Sequence, residues 1–392
     1  MKIESVDFFY LSMPVIRDIG DGSQDALLVR VRSEDGVEGW GECEAAPLVS
    51  IAAWCCPMSH SACKSVGHTV LGRTVETPDD IRRLNRDVRR NSLDLLQADH
   101  TLSGVDMALW DLLGRKRGEP VWRLLGWKQA FPKVAYASQL FGDRPEETLV
   151  KARGVRAAGF KAAKFGWGPF GADLEADEAH VRAAREGLGS DIALLVDAGT
   201  VWGEDVEVAA ARLPVLEECG AVWLEEPFVS GALQAYRELG RRMRGNLRTA
   251  GGEGAHDPLM ARNLVEFGGV GYLQIDAGRV GGITSAHVLA REAERAGIAY
   301  VNHTFTTPLA LSASIQPYAG LEASRLCEYP TESSALARSL TFERLDPDSN
   351  GMLHLGDSPG LGMTPNPDTI RTYSVPVEIR VGERVVYRTP VP

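Results

Sequence analysis

Three acidic residues end three apolar, strand-like runs of the chain at equal spacing. The run AVWLE ends at Glu225, IALLVD ends at Asp197, and LRTAGGE ends at Glu253. Both intervals between them are 28 residues. A buried carboxylate without a partner is destabilising by several kcal/mol, so positive charge is expected at these strand ends. Oxygen ligands suit Mg²⁺, which favours carboxylates, water and substrate oxygens over thiolate or imidazole. The pattern predicts a magnesium site. Glu226 is expected either to accept hydrogen bonds behind the ligands or to pair with a basic residue.

Four further strand-like runs also end in a polar residue. These residues are Lys164, Asp276, His303 and Glu328. Consecutive strands that all end this way are hard to explain by packing, because each would otherwise leave an uncompensated buried charge. His303 is the candidate general base. Asp276, 27 residues earlier, would orient the imidazole and raise its basicity.

The elements that must position these residues alternate between strand-like and helical patterns from about residue 132. The strand-like runs are 134–138, 162–167, 193–198, 221–226, 247–253, 272–277, 299–304 and 325–329. Eight runs at this regular spacing predict an α/β fold of the (β/α) barrel type, in which active sites lie at the carboxyl ends of the strands. An open doubly wound sheet would usually carry a glycine-rich nucleotide-binding turn after its first strand, and the sequence has none.

The first part of the chain has a different pattern. Alternating runs predict three antiparallel strands, with a hairpin turn at SEDG, and two helices follow. This order is typical of an α+β domain. We therefore expect an α+β domain over residues 1–127, the barrel over 128–345, and a C-terminal segment, 346–392, that packs back on the first domain.

A cysteine-containing stretch, Ala45–Thr74, shows no clear periodicity. It contains Cys55, Cys56 and Cys63 together with two histidines. A zinc or redox site is one interpretation, but the spacing does not match the usual paired-cysteine motifs. A mobile loop over the active site with small buried thiols is the preferred interpretation.

Composition and charge limit the classes of partner. The 392 residues carry a net charge of −11 at pH 7, which argues against nucleic acid and anionic membrane surfaces as partners. No apolar run approaches the roughly 20 residues that span a bilayer, and the N-terminus does not resemble a signal peptide. Six cysteines in so long a chain do not form a disulfide scaffold. A reduced, cytoplasmic protein is expected.

Five separated motifs resemble the enolase superfamily, mandelate racemase subgroup, from about residue 3 to about residue 365. They are the helix SGVDMALWDLLGRKRGEPVWRLLG and the strand ends VDA, WLEEP, GGE and QIDAGRVGG, with NH following. The resemblance implies an N-terminal capping domain on a (β/α)7β TIM-like barrel. It also implies Mg²⁺ held by Asp197, Glu225 and Glu253, a sugar-acid carboxylate as substrate, and a homo-oligomer.

The resemblance further implies roles for Lys164 and Glu328. Lys164 would neutralise the substrate carboxylate, and Glu328 would hold the substrate or intermediate through a hydrogen bond. Because Glu328 would be buried near other acids, it could stay protonated and act as a donor. Arg279 fits a basic position that follows the Asp276 motif and is expected to be structural.

The chain departs from the subgroup pattern on the second barrel strand. The subgroup usually has Lys-x-Lys there, with the second lysine as a base opposite the histidine, whereas this chain has Lys164-Phe165-Gly166. Gly199 is a second departure, because relatives often carry asparagine there. Racemisation needs acid–base groups on both faces of the substrate. A single base favours a one-sided β-elimination of water, giving a 2-keto-3-deoxy acid.

Three functions stay open on the sequence. An acid-sugar dehydratase is favoured, a racemase, epimerase or lactone cycloisomerase is the alternative, and a non-catalytic binder of sugar acids is the third. Tyr136 on the first barrel strand, or a residue of a loop over the site, could supply a second acid. Specificity is expected to depend on the stretches Ile19–Gln24 and Ala45–His60. Two interpretations stay open for the aromatic residues Phe165, Trp167 and Trp202: a place in the core, or stacking against the sugar.

Overall fold

The computed structural model describes residues 1–44 and 46–391. Its strands are β1 Ile3–Ser12, β2 Asp25–Ser33, β3 Glu38–Cys43, β4 Lys133–Leu140, β5 Ala162–Gly166, β6 Ala193–Asp197, β7 Ala221–Glu225, β8 Arg248–Gly251, β9 Tyr272–Asp276, β10 Ala299–His303, β11 Leu326–Pro330, β12 Met352–Leu353, β13 Glu378–Val381 and β14 Arg384–Arg388. Its helices are α1 Pro47–Cys55, α2 Val66–Val70, α3 Pro78–Asn91, α4 Ala98–Arg117, α5 Val121–Leu124, α6 Pro145–Ala157, α7 Leu174–Leu188, α8 Val206–Ala210, α9 Leu213–Glu218, α10 Leu233–Arg242, α11 Pro258–Asn263, α12 Gly282–Ala296, α13 Pro308–Ile315, α14 Ala335–Ser339 and α15 Pro367–Tyr373.

The N-terminal part is an antiparallel sheet, in the order β1-β2-β3, covered by helices. Helix α4 packs directly against β3. A β-carbon on Gly41 would stand 2.2 Å from the carbonyl oxygen of Gly104, so only glycine permits this approach. Every residue of α4 from His100 to Gly114 is buried, because the barrel helix α12 packs against α4 as well. Helix α4 therefore joins the two domains.

The barrel consists of eight parallel strands, β4 to β11, in chain order, with β11 paired to β4. Helices separate consecutive strands, so the (β/α)7β barrel with an N-terminal α+β domain is confirmed. Strands β10 and β11 are neighbours without a ladder of backbone pairs. The Asn302 carboxamide bridges them: its Oδ1 accepts from the Glu328 amide at 3.0 Å and from the Tyr318 hydroxyl at 2.9 Å.

One sequence-based expectation is wrong. Ala45 lies outside the described residues, and the stretch that follows it is not an irregular loop. It forms α1 and α2, and Ile51 and Val66 are fully buried in the core. Residues 206–219, between β6 and β7, form two short helices, α8 and α9. Pro214 lies in the first turn of α9, where a proline is tolerated because that turn has no intrahelical partner for its N–H.

The C-terminal segment contacts β1. The Val375 amide donates to the Tyr10 carbonyl at 2.8 Å, and the Tyr387 hydroxyl donates to the Phe8 carbonyl at 2.7 Å. In the described part of the chain, no helix combines the length and the apolar character that crossing a membrane requires.

Candidate active site

Asp197, Glu225 and Glu253 converge at the carboxyl ends of three adjacent barrel strands. One oxygen from each lies within 4.8 Å of the others, and all three side chains are buried. Asp197 and Glu225 end β6 and β7, whereas Glu253 lies two residues beyond the end of β8. Gly252 accounts for the difference, because its φ of +128° takes the chain out of the extended conformation. Among the described residues, no other group of three His, Cys, Asp or Glu side chains could hold a metal ion.

The triad is more negative than the single lysine beside it can balance. Lys164 Nζ lies 2.6 Å from Glu225 Oε1, 3.2 Å from Asp197 Oδ2 and 2.8 Å from Glu328 Oε1. Burial raises the pKa of Asp197, and it raises that of Glu225 well above its ordinary range, although Lys164 opposes both shifts. Buried carboxylates in excess of their cations are what a divalent ion stabilises. The donor set therefore fits a hard cation.

Glu226 lies behind the triad and has no basic partner among the residues that the structure describes. Its Oε1 accepts from the amides of Gly252 at 3.1 Å and Gly254 at 3.3 Å. Its backbone has a φ of +38°, a strained conformation for a non-glycine residue. Of the two roles expected for Glu226, the acceptor role is the one observed. It fixes the turn that carries Glu253.

The imidazole of His303 is held between Asp276 and the triad. Its Nδ1 lies 2.7 Å from Asp276 Oδ2, and its Nε2 lies 3.0 Å from Glu253 Oε2. The Gly278 amide donates to the other Asp276 oxygen at 2.6 Å and so fixes the carboxylate. Burial alone would lower the pKa of His303, but Glu253, Glu328 and Asp276 together raise it to about 10. Nε2, the ring nitrogen that does not contact Asp276, lies on the side of the triad, and His303 lines the cavity there.

Both oxygens of Glu328 accept hydrogen bonds, an arrangement that favours the carboxylate over a protonated donor. It accepts from Ser138 Oγ at 2.8 Å and from the Thr304 amide at 2.8 Å, besides its contact with Lys164. Burial alone would raise the pKa of Glu328, but Lys164, His303 and the Thr304 amide lower it. Glu328 is thus arranged to accept hydrogen bonds and to position Lys164.

The second barrel strand has no room for a base at Gly166. A β-carbon there would stand 2.6 Å from the Asp197 β-carbon. Of the three aromatic residues considered, Phe165 and Trp202 are core residues, with 0% and 7% of their surface exposed. Trp167 is 44% exposed and lines the cavity.

A cavity of about 270 Å³ lies over the triad and opens to solvent. The N-terminal domain contributes residues 19–22 and Glu44 to its wall, and nothing from residues 46–60 lines it. Of the two stretches expected over the site, only the first takes part. Cys55, Cys56 and the nearby Cys63 are half-buried free thiols away from the cavity. Tyr136 is fully buried and is not among the residues that line the cavity.

Glu44 and Ser138 are among the cavity residues that the sequence analysis missed. Glu44 follows β3 of the N-terminal domain, and its Oε1 lies 3.1 Å from Arg279 Nη2. No local pattern marks it, since its partner lies on the barrel. Ser138 lies in β4, the first barrel strand, and the rule used for the other strand ends could have found it.

Residues 147–369 match the family described as enolase C-terminal domain-like. Residues 15–126 match the mandelate racemase / muconate lactonizing enzyme N-terminal domain. The chain therefore belongs to the enolase superfamily, in the group of mandelate racemase and muconate lactonizing enzyme.

Individual relatives differ in the reactions for which they are named. The D-galactarolactone cycloisomerase of Agrobacterium fabrum is 27% identical over 89% of this chain and 91% of its own. The D-galactonate dehydratase of Klebsiella pneumoniae is 28% identical over 74% of each chain. A crystal structure of a predicted mandelate racemase from Rhodobacter sphaeroides is 54% identical, covers 99% of each chain and superimposes with a TM-score of 0.94. The relatives thus include both a lyase and an isomerase.

Proposed function

We propose that this protein is a Mg²⁺-dependent lyase that removes water from a sugar acid to give a 2-keto-3-deoxy acid. The observation that carries the proposal is the one-sided arrangement of the site. The His303–Asp276 pair lies beside the triad, while Gly166, where a second base would stand, is too close to Asp197 to carry a side chain. Abstraction and return of a proton on one face is the chemistry that one imidazole can perform.

Asp197, Glu225 and Glu253 would hold the ion. When bound, Mg²⁺ supplies stabilisation of the negative charge that develops on the carboxylate oxygens of the deprotonated substrate. Lys164, within the same group of acids, would neutralise the substrate carboxylate. Glu328 would keep Lys164 in place through their 2.8 Å contact.

His303 would act first as base and then as acid. A bound Mg²⁺ would offset the acids that raise the pKa of His303, so that its neutral Nε2 could take the α-proton. Asp276 would hold Nδ1 and stabilise the imidazolium that forms. The imidazolium then returns the proton to the departing 3-hydroxyl on the same face, a syn elimination of water. The enol product tautomerises to the 2-keto-3-deoxy acid. No residue on the opposite face is required.

A lactone cycloisomerase is the second candidate, because the Agrobacterium fabrum relative carries that name. It too needs only one acid–base group at the α-carbon. A racemase or epimerase is less well supported, since it needs a second group opposite His303. The six free cysteines of the described chain support the proposal of a reducing, cytoplasmic location. Homo-oligomerisation stays a proposal.

A screen of sugar monoacids, diacids and their lactones with Mg²⁺ tests the proposal. The assay follows 2-keto acid formation in D₂O together with deuterium incorporation at the α-carbon. Formation of a 2-keto-3-deoxy acid supports the dehydratase. Ring opening or α-deuteration without loss of water supports the isomerase instead. Saturable binding of an acid with neither reaction would contradict both and favour a non-catalytic binder.

A further inference from the structure

We infer that Trp167 selects the end of the substrate remote from the reacting carboxylate, and that this end is neutral. The preferred substrate is then a polyhydroxy monocarboxylate rather than a dicarboxylate. This inference rests on the proposed function, because it assumes that one carboxylate lies beside Lys164 and the triad. It concerns only the mouth of the cavity, where the rest of the substrate must lie.

Trp167 is held at the mouth in a conformation that packing must maintain. Its φ of +55° is strained for a residue with a side chain, and such strain is concentrated at functional sites. The indole lies between two glycines from different elements. A β-carbon on Gly20 would stand 3.0 Å from the ring, and one on Gly199 would stand 2.8 Å from it. Gly199 therefore leaves space for the indole, and Gly20 allows the 19–22 segment to close on it.

Part of the cavity wall is apolar, in contrast to the charged residues at the strand ends. Trp167 forms it together with Ile19, Leu140 and Phe305. An exposed aromatic face on a cavity wall suits the C–H surface of a sugar chain or ring, while leaving the hydroxyl groups free to bond water. A carboxylate in the same place would lose hydration without gaining a partner.

No unpaired cation is available for a second carboxylate. Besides His303, which lies between Asp276 and Glu253, the described cavity wall contains one lysine and one arginine. Lys164 already contacts three carboxylates. Arg279 lies 3.1 Å from Glu44 and 3.9 Å from both Glu253 and Asp276. Asp21 adds a further negative charge to the wall. A diacid would therefore place its second carboxylate among like charges, which is strongly unfavourable.

Kinetics with matched acids test the charge argument. The six-carbon aldonate and the aldarate of the same configuration are assayed in parallel, both in the presence of Mg²⁺. The comparison is repeated for each configuration that the enzyme turns over. We expect kcat/KM to favour the monoacid by about 100-fold. Equal or better turnover of the diacid would overturn the inference and leave the proposed function intact. Turnover of neither class would overturn the proposed function, and the inference with it.

Variants test the role of Trp167. Trp167→Ala should raise KM for the monoacid about tenfold and change kcat little, since the contact is remote from the reacting carbon. Phe267→Ala is the matched control, because Phe267 is 46% exposed and does not line the cavity. An unchanged KM in Trp167→Ala would contradict the assignment.

A double-mutant cycle separates this contact from a general disturbance. Gly20→Ala should raise KM in the parent protein, because the methyl group would meet the indole. It should have little further effect in Trp167→Ala, where the ring is absent. Additive effects of the two changes would show that the segment and Trp167 act independently, which would overturn the proposed contact.

Discussion

Gly166 and Asp197 are paired across β5 and β6 so closely that a β-carbon on Gly166 would stand 2.6 Å from that of Asp197. Real β-carbons do not approach this closely, so position 166 has no place for the second base of the subgroup pattern. Asp197 belongs to the proposed metal site. The same contact therefore links the one-sided chemistry to the position of a ligand.

Gly166→Lys tests this relationship. Restoring the lysine of the subgroup pattern should not create a racemase, because the new side chain would displace Asp197 and weaken Mg²⁺ binding. We expect turnover to fall at least tenfold. Gly240→Lys is the control, since a β-carbon there meets no atom within 4 Å. Two-sided proton exchange by Gly166→Lys would contradict the account.

Metal removal and Glu225→Gln test the triad. Mg²⁺ at 100 times its Kd should stabilise the parent protein by about 2.7 kcal/mol, seen as a higher Tm, and EDTA should abolish turnover reversibly. Glu225→Gln should lose the Mg²⁺-dependent Tm shift because it removes a charged ligand. Glu175→Gln, an exposed substitution on α7, should keep it. A full Tm shift in Glu225→Gln would exclude Glu225 as a ligand.

Asp276→Asn tests the partner of the imidazole. An amide cannot stabilise the imidazolium as a carboxylate does, so kcat should fall about 10²–10⁴-fold. The Mg²⁺-dependent Tm shift should persist, because Asp276 is not proposed as a ligand. A parent-like kcat in the variant would show that His303 needs no carboxylate partner.

Glu42→Gln tests a buried acid between the domains. Glu42 is fully buried against Thr307, and burial raises its pKa to about 8 from 4.5. The folded state keeps the proton while the unfolded state loses it, so this group's contribution to stability is lost as pH rises from about 4.5 to about 8.

Glu42→Gln should not show this loss of stability as the pH rises. Relative to the parent, it should gain on the order of 3 kcal/mol in unfolding free energy between pH 5 and pH 8, measured by urea titration. Thr306, Glu44 and Asp276 also face Glu42, so the comparison is made as a difference between the two proteins. Parallel pH profiles for parent and variant would contradict the assignment.

The barrel and the residues at its strand ends could be predicted because both signals are local. Each buried strand is a short apolar run, and each ends in a polar residue that packing alone does not explain. The pairing of Asp276 with His303 followed from barrel spacing, since neighbouring strands in sequence are neighbours in space. The apolar pattern predicted that the fifth barrel strand ends at Glu253. The strand ends earlier, at Gly251, because Gly252 has a positive φ.

Features that depend on contacts between domains could not be predicted. Glu44 reaches a barrel arginine from the N-terminal sheet, and nothing near it in sequence indicates that contact. The acceptor role of Glu328 depends on Lys164 and the Thr304 amide, which come from two other strands or their ends. The contact of Trp167 with Gly20 and Gly199 likewise joins three separate segments.

The central claim is that His303 moves the α-proton beside an ion held by the triad, and His303→Asn tests it most directly. The measurement is α-deuterium incorporation and 2-keto acid formation from the best acid of the screen, in D₂O with Mg²⁺. The account predicts that both fall by at least about 10³-fold while the Mg²⁺-dependent Tm shift is retained. Exchange or product formation at the parent rate in His303→Asn would contradict it.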